Sequence, residues 1–378
     1  MKTAIATSDY FVPGETFVNR HIEHLFDGAT CIVAGRFDGN DPIGRPLFER
    51  RRSLGLADTL RAPFALSMNA LRHSTSRVPF GASKSALKTF LQDQKVELVL
   101  AEFGTQALAV APLAREIGLP CVSYFRGTDA SKALRRRQTV RAYRRMFPHL
   151  AGIVAVSQFL LDNLAAEGLE HPNAHVIPSG VNTDNFKPGE KERGLILALG
   201  RFIEKKAPLT TVRAFAEAAE GLPHARLEMI GDGPLMEPAR SLARELGVGD
   251  RVRLPGRMPH DAVRDRLGKA EIFAQHSVTA EDGNTEGLPT AIQEALASGC
   301  VIVSTRHAGI PEAVEDGKTG HLVDEHDQHG FARQLRRLLD TKDLAQMANA
   351  ARDVAVTRFD NRKLLTRLEA MLRKTVGA

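Results

Sequence analysis

Two stretches of this 378-residue sequence set cations and carboxylates where they could meet an anionic, hydroxyl-rich ligand. In the first, Gly200-Arg201-Phe202-Ile203-Glu204-Lys205-Lys206-Ala207-Pro208 follows an apolar run at 195–199 that reads as a strand. A glycine turn at a strand end lets Arg201 and, five residues later, Lys206 project from one loop. Two fixed cations suit a diphosphate, with each contact worth about 4 kcal/mol at roughly 4 Å and an effective dielectric near ~20, before desolvation. The second stretch is Glu286-Gly287-Leu288-Pro289-Thr290-Ala291-Ile292-Gln293-Glu294. Pro289 falls near the first turn of a helix, where its missing N–H costs nothing, and the free N–H groups of that end make an anion site. Glu286 just before the helix and Glu294 within it are placed to accept hydrogen bonds from sugar or ribose hydroxyls. Each stretch alone also has a plain structural explanation, as a solvated basic loop or an acid that stabilises a helix start.

These residues need elements to hold them. Short apolar runs alternate with helical patterns throughout, the pattern of parallel α/β sheets. Strands are expected at 3–6, 30–34, 98–101, 121–125 and 152–156, and a second series at 195–199, 226–230, 252–254, 272–274 and 301–304. Helices are expected at 107–117, 209–219, 237–246, 290–297 and 361–374. The segment 172–188, with Pro178, Gly180 and Pro188, marks the boundary between two α/β halves. Such sheets bind ligands beyond the C-terminal ends of their strands. Further loops at strand ends are Gly231-Asp232-Gly233-Pro234, Pro255-Gly256-Arg257-Met258 and Ala308-Gly309-Ile310-Pro311-Glu312.

Composition narrows the classes. With 43% hydrophobic and 25% charged residues the chain is globular. Cys31, Cys121 and Cys300 are widely spaced and odd in number, which suits a reducing cytosol and offers no metal-ligand spacing. The N-terminus reads as a first strand, not a signal peptide, and no apolar run is long enough to span a membrane. The net charge is +6. Its densest part is Arg126, Lys132, Arg135, Arg136, Arg137, Arg141, Arg144 and Arg145, accompanied by the single acid Asp129. A helix over 131–147 would stack Arg137, Arg141 and Arg145 above an apolar face of Val140, Tyr143 and Phe147. That face is either simply solvated, or meets anionic lipid headgroups or a phosphate-bearing acceptor. Nucleic acid is not expected, because no aromatic residues are interleaved for base stacking.

Taken in order, the motifs resemble those of the family-4 retaining glycosyltransferases of the GT-B fold. The matching runs are Val156-Ser157 with Leu164, residues 176–186, Gly200-Arg201 through Lys206, Gly231 to Pro234, Glu286 to Glu294, and Gly309-Ile310-Pro311-Glu312. Pro13-Gly14-Glu15-Thr16-Phe17 and the stretch 282–289 look like the branch that builds exopolysaccharide and cell-surface glycans. The resemblance implies two Rossmann-like, doubly wound parallel-sheet domains facing a central cleft. They would be an acceptor domain at 1–185, a nucleotide-sugar domain at 186–358, and a final helix at 359–378 crossing back to the first. It implies transfer of a sugar from a nucleotide diphosphate-sugar, UDP ahead of GDP, to a sugar or lipid-linked glycan hydroxyl. The anomeric configuration would be retained, with neither metal nor other cofactor. Arg201 and Lys206 would clasp the diphosphate, and Glu294 the ribose. Glu286 with Gly287, Leu288 and Pro289 would bind the transferred sugar. Gly14, Gly200 and Gly231 would let backbone approach the donor, and Arg257 and Met258 would flank the base. Glu15, Thr16, Arg126 and Asp129 would face the acceptor. Where the family has His-Gly-x-Asp, this chain reads Arg126-Gly127-Thr128-Asp129. Arg126 would offer a donor and a charge but neither the shape nor the neutral form of histidine; alternatively it turns into the basic surface. The enzyme is expected in the cytoplasm, with peripheral contact to an anionic membrane as one use of the basic face. Two other functions are open to the sequence alone: a non-catalytic glycan-binding subunit on the same fold, and an NAD-dependent oxidoreductase. For the latter, Gly-x-Gly-x-x-Gly is lacking after the first strand.

Overall fold

The computed structural model describes residues 1–12, 14–50 and 56–377; Pro13, singled out above, lies outside them. The chain divides into two compact units, Met1–Ile177 with Leu365–Ala378, and Pro178–Leu364.

Seven parallel strands carry the first unit among the described residues: β1 (Thr3–Asp9), β2 (Thr30–Arg36), β3 (Leu47–Glu49), β4 (Leu98–Glu102), β5 (Cys121–Phe125), β6 (Gly152–Ala155) and β7 (Ala174–Val176). Their order, β3-β2-β1-β4-β5-β6-β7, is that of a doubly wound sheet whose direction of travel reverses between β1 and β4. Ile5 pairs with Ile32 on one side and Leu100 on the other. Every residue of β4, β5 and β6 is buried, as a sheet covered by helices on both faces requires. The sequence does not announce β3 and β7, because edge strands of three residues without a buried position carry no apolar run.

The basic stretch expected as one helix over 131–147 is broken. A turn of 3₁₀ helix, Lys132–Arg135, ends at Arg136 in extended backbone, and the α-helix Arg137–Met146 starts after it. Within that helix Arg137, Arg141 and Arg145 are exposed and Val140 and Tyr143 buried as expected, and Phe147, also buried, sits in the 3₁₀ turn that follows. The final helix, Asn361–Val376, buries Leu364, Leu368 and Leu372. Its later turns are tied into the first unit: Glu369 accepts the Phe26 N–H at 2.7 Å, and Thr375 accepts from the Asn173 amide at 3.0 Å.

The second unit has strands β8 (Glu192–Leu199), β9 (Arg226–Ile230), β10 (Val252–Gly256), β11 (Ala270–Gln275), β12 (Val301–Thr305) and β13 (Gly320–Val323), again parallel, in the order β10-β9-β8-β11-β12-β13. Ile196, Phe215, Leu227, Ile272, Val303 and Phe331 share one core. Because the strands are parallel, all their C-terminal ends meet at one edge of the sheet. The loops after β8, β9, β10, β11 and β12 therefore converge there, and these loops carry the residues singled out from the sequence.

Candidate functional site

Glycine packing brings the first three of those loops together. The Gly200 N–H donates to Ile230 at 3.0 Å, Gly231 to Gly256 at 2.9 Å, and Phe202 to Asp232 at 2.9 Å. Gly231 has φ +142°, and a β-carbon there would collide with the Gly200 carbonyl oxygen, so only glycine fits. From this platform Arg201 stands exposed; its carbonyl accepts the Ile203 N–H at 2.9 Å, while its guanidinium makes no hydrogen bond or ion pair among the described residues. The following turn of 3₁₀ helix, Glu204–Lys206, ends at Ala207 in left-handed conformation (φ +38°) and aims both lysines back at the loop after β11.

There they grip Glu286. Its carboxylate lies 2.9 Å from the Lys206 ammonium and 3.5 Å from that of Lys205, which also donates to the Thr285 carbonyl at 3.0 Å. Burial alone would raise the pKa of Glu286. Lys206 first and Lys205 second outweigh that and hold it down to about 2, so the group is a carboxylate at neutral pH. For Lys205, burial pulls the pKa below the ordinary lysine value, and Glu286 opposes that pull. The Glu286 N–H donates to Nε2 of His307 at 3.0 Å, while Nδ1 of His307 meets Glu325 at 2.6 Å. This assigns the proton of a neutral His307 to Nδ1 and locks the loop from below.

Pro289 is the N-cap residue of the helix Thr290–Ala297, next to its first turn as expected. Inside that helix Gln293 is fully buried; it accepts the Gly180 N–H at 2.9 Å and donates to the Leu288 carbonyl at 3.4 Å. Gly287 accepts the Gly309 N–H at 3.0 Å, and Leu288 is buried. Glu294 is mostly buried, 3.9 Å from His260. Arg257 is exposed and pairs with Asp232 at 3.3 Å, beside a half-buried Met258. Of the residues expected at the donor, the structure joins Lys206 to Glu286 and Gly200 to Gly231.

The first unit holds Gly14, Glu15, Thr16, Arg126 and Asp129. Gly14 and Thr16 are exposed, and among the described residues nothing beyond the chain neighbours of Gly14 lies within 4 Å of where its β-carbon would be. Glu15 is half-buried with its Oε2 unpartnered, and its pKa is raised by burial and by the charge of Glu102. Arg126 does not turn into the basic surface. Its side chain is 3% exposed, 2.7 Å from Glu102, with the guanidinium 4.1 Å from the Phe17 ring centre and 3.8 Å from that of Tyr124. Glu102 also meets His21 Nδ1 at 2.5 Å. Burial would raise the Glu102 pKa, but Arg126 and then His21 bring it down to about 2, while burial lowers that of His21 against the opposing pull of Glu102. Asp129 spends its carboxylate on backbone, accepting the N–H groups of Gly104 at 2.8 Å and of Arg126 and Gly127 at 3.0 Å. Of the four residues expected at the acceptor, Arg126 and Asp129 thus have their charged groups consumed within the unit.

Sequence reasoning missed Lys205, Glu102 and Glu325. Glu102 had a signal: a lone acid closing an apolar strand needs a buried cation, and Arg126 directly follows the neighbouring strand. Among the described residues no three His, Cys, Asp or Glu side chains converge as metal ligands.

A family profile described as Glycosyl transferases group 1 matches residues 181–354, and one described as Glycosyltransferase Family 4 matches residues 46–185. WcaL of Escherichia coli, provisionally named a colanic acid biosynthesis glycosyltransferase, is 30% identical over 73% of this chain and 71% of its own length. The amylovoran biosynthesis glycosyltransferase AmsK of Erwinia amylovora is 26% identical over 99% of this chain and 100% of its own. Anabaena HepE (Alr3699), solved in complex with UDP-glucose, matches with a TM-score of 0.78 at 16% identity, covering 98% of this chain and 99% of that one. At that identity the likeness speaks for the fold.

Proposed function

The chain belongs to the glycosyltransferases of group 1 and family 4, with the GT-B fold, and from that premise we propose that it moves a sugar from a nucleotide diphosphate-sugar to an acceptor hydroxyl in surface-polysaccharide or glycolipid synthesis. A UDP-sugar is favoured over a GDP-sugar, the bound UDP-glucose of the HepE structure being one support. The acceptor is a sugar or a lipid-linked glycan, reached in the cytoplasm at an anionic membrane face.

The observation that carries this reading is the ionised Glu286 held on Lys206 and Lys205 beside an uncommitted Arg201. The diphosphate would settle against Arg201 and Lys206 over the glycine platform, with Arg257 and Met258 beside the base and Glu294 on the ribose. Glu286, fixed by His307, would accept hydrogen bonds from the transferred sugar. The bond between the anomeric carbon and the phosphate oxygen breaks first, giving a short-lived oxocarbenium-like ion pair. The acceptor oxygen then bonds to the same face, and its proton passes to the departing phosphate oxygen. The configuration is retained, and the protein's part is positioning and charge stabilisation, with the two cations in the place of a metal. Glu15 and Thr16 would face the acceptor, and Arg126 and Asp129 would hold the loop beside it.

The test is a thermal-shift and transfer screen across UDP- and GDP-sugars, with product stereochemistry by NMR. Turnover that survives a chelator and gives the donor's own anomer is expected; turnover restored only by added divalent metal would overturn the metal-independent step.

A further inference from the structure

Among the described residues six large apolar side chains are exposed, and four of them, Leu60, Phe64, Leu66 and Leu71, sit on the 18-residue helix Leu56–His73. Leu60, Phe64 and Leu71 are 85%, 74% and 70% exposed. At about 100° per residue these three fall within roughly 40° of one another. The opposite side is pinned. Asp58 is buried and accepts the Ala82 N–H at 2.8 Å, and the Asn69 amide donates to Val78 at 2.8 Å. Those contacts fix which way the apolar stripe points, which is outward. Beside it stands the arginine-rich helix Arg137–Met146: Arg145 donates to the carbonyl of Leu71, and Arg137, Arg141 and Arg144 are exposed with it.

We infer that Leu56–His73 is an interfacial anchor, its Leu60, Phe64 and Leu71 entering the outer acyl layer of an anionic bilayer while the neighbouring arginines meet the phosphate headgroups. An apolar stripe flanked by cations matches that surface on both counts. A symmetric pairing with a second copy of this chain would bring the same arginines of two copies together. No described helix is long and apolar enough to cross a membrane, so the anchor lies in the interface plane. The inference deepens the proposal of a lipid-linked acceptor, on which its purpose rests: the unit expected to bind that acceptor would be held where the lipid is.

The experiment is sedimentation of the full chain with sucrose-loaded phosphatidylcholine vesicles, with and without phosphatidylglycerol, at low and high salt. Wild type should sediment with the anionic vesicles. Phe64→Glu combined with Leu71→Glu should lower the bound fraction ~10-fold or more even at low salt, because apolar burial is lost. Arg141→Glu combined with Arg144→Glu should instead shift release to lower salt. Should the first pair melt early, Phe64→Ser alone carries the comparison. Unchanged sedimentation of the apolar variant overturns the anchor. So does a wild-type dimer in ultracentrifugation that this variant abolishes. Donor turnover without vesicles is measured in parallel: turnover without vesicle binding sinks only the anchor, and vesicle binding without turnover sinks only the proposed reaction.

Discussion

Glu102 in the first unit and Glu286 in the second are buried beside cations, and each is held at a pKa of about 2, yet the two clusters are built for different ends. Around Glu102 everything is closed. Glu102 is fully buried, Arg126 is 3% exposed between two aromatic rings, and His21 fills the remaining side. Around Glu286 the enclosure is incomplete, with 17% of the Lys206 side chain and 10% of the Glu286 side chain still exposed and Arg201 standing open above them. A closed ion pair can only hold structure. An ion pair at the rim of converging loops can exchange part of its interaction with a ligand, and its cation is already fixed where an anion would arrive. Electrostatics alone therefore does not separate scaffold from site here; access does.

Glu102→Ala gives the largest expected effect. It strands Arg126 as an uncompensated buried charge and should cost about 3–5 kcal/mol in urea unfolding. A loss under about 1 kcal/mol would mean that the Arg126 cluster is not the closed structural pair described. Lys206→Ala should do the reverse: stability falls less than for Glu102→Ala, because Lys205 still faces Glu286, while kcat drops ~10² or more. Near-normal turnover would place Lys206 with the scaffold and erase the contrast. Glu294→Ala sharpens the comparison within the second unit, weakening nucleoside-diphosphate binding ~10-fold, or about 1.4 kcal/mol, in calorimetry. Unchanged affinity would remove Glu294 from the nucleotide.

The sequence carries the central strands of both sheets because Val, Ile, Leu and Ala runs buried on both faces cannot be mistaken for surface. It does not carry β3 and β7, whose three residues leave too little pattern, or β13, where Gly320 and His321 leave only Leu322 and Val323 as an apolar pair. The spacing from Gly200 to Lys206 and from Glu286 to Glu294 was readable because both stretches follow strand ends, where loops converge. That Lys206 already holds Glu286 was not readable, since it depends on how two loops, about 80 residues apart in the chain, fold against each other. Arg126 shows the limit most plainly. Its place in a family motif suggested an outward role, and a single acid on the adjoining strand, Glu102, turned it inward.

The smallest effect is in the pH dependence, and it tests whether the Lys206 contribution runs through Glu286. Both carboxylates drop on folding from an ordinary 4.5 to about 2. Above about 4.5 the unfolded and folded chains both carry them ionised, so their stabilisation is fully present; as pH falls toward about 2 the unfolded chain takes up protons first, and the stabilisation drains away. In Lys206→Ala the largest attraction on Glu286 is gone while its burial remains, so its folded pKa must rise and its share of stability must shrink. Glu102 is untouched. The stability gap between wild type and Lys206→Ala should therefore be constant from neutral pH down to about 4.5 and close as pH approaches about 2, in a series of urea titrations. A gap that persists at the acid end would show Lys206 stabilising the loop through its aliphatic packing instead, and the second cluster would then be scaffold of the same kind as the first.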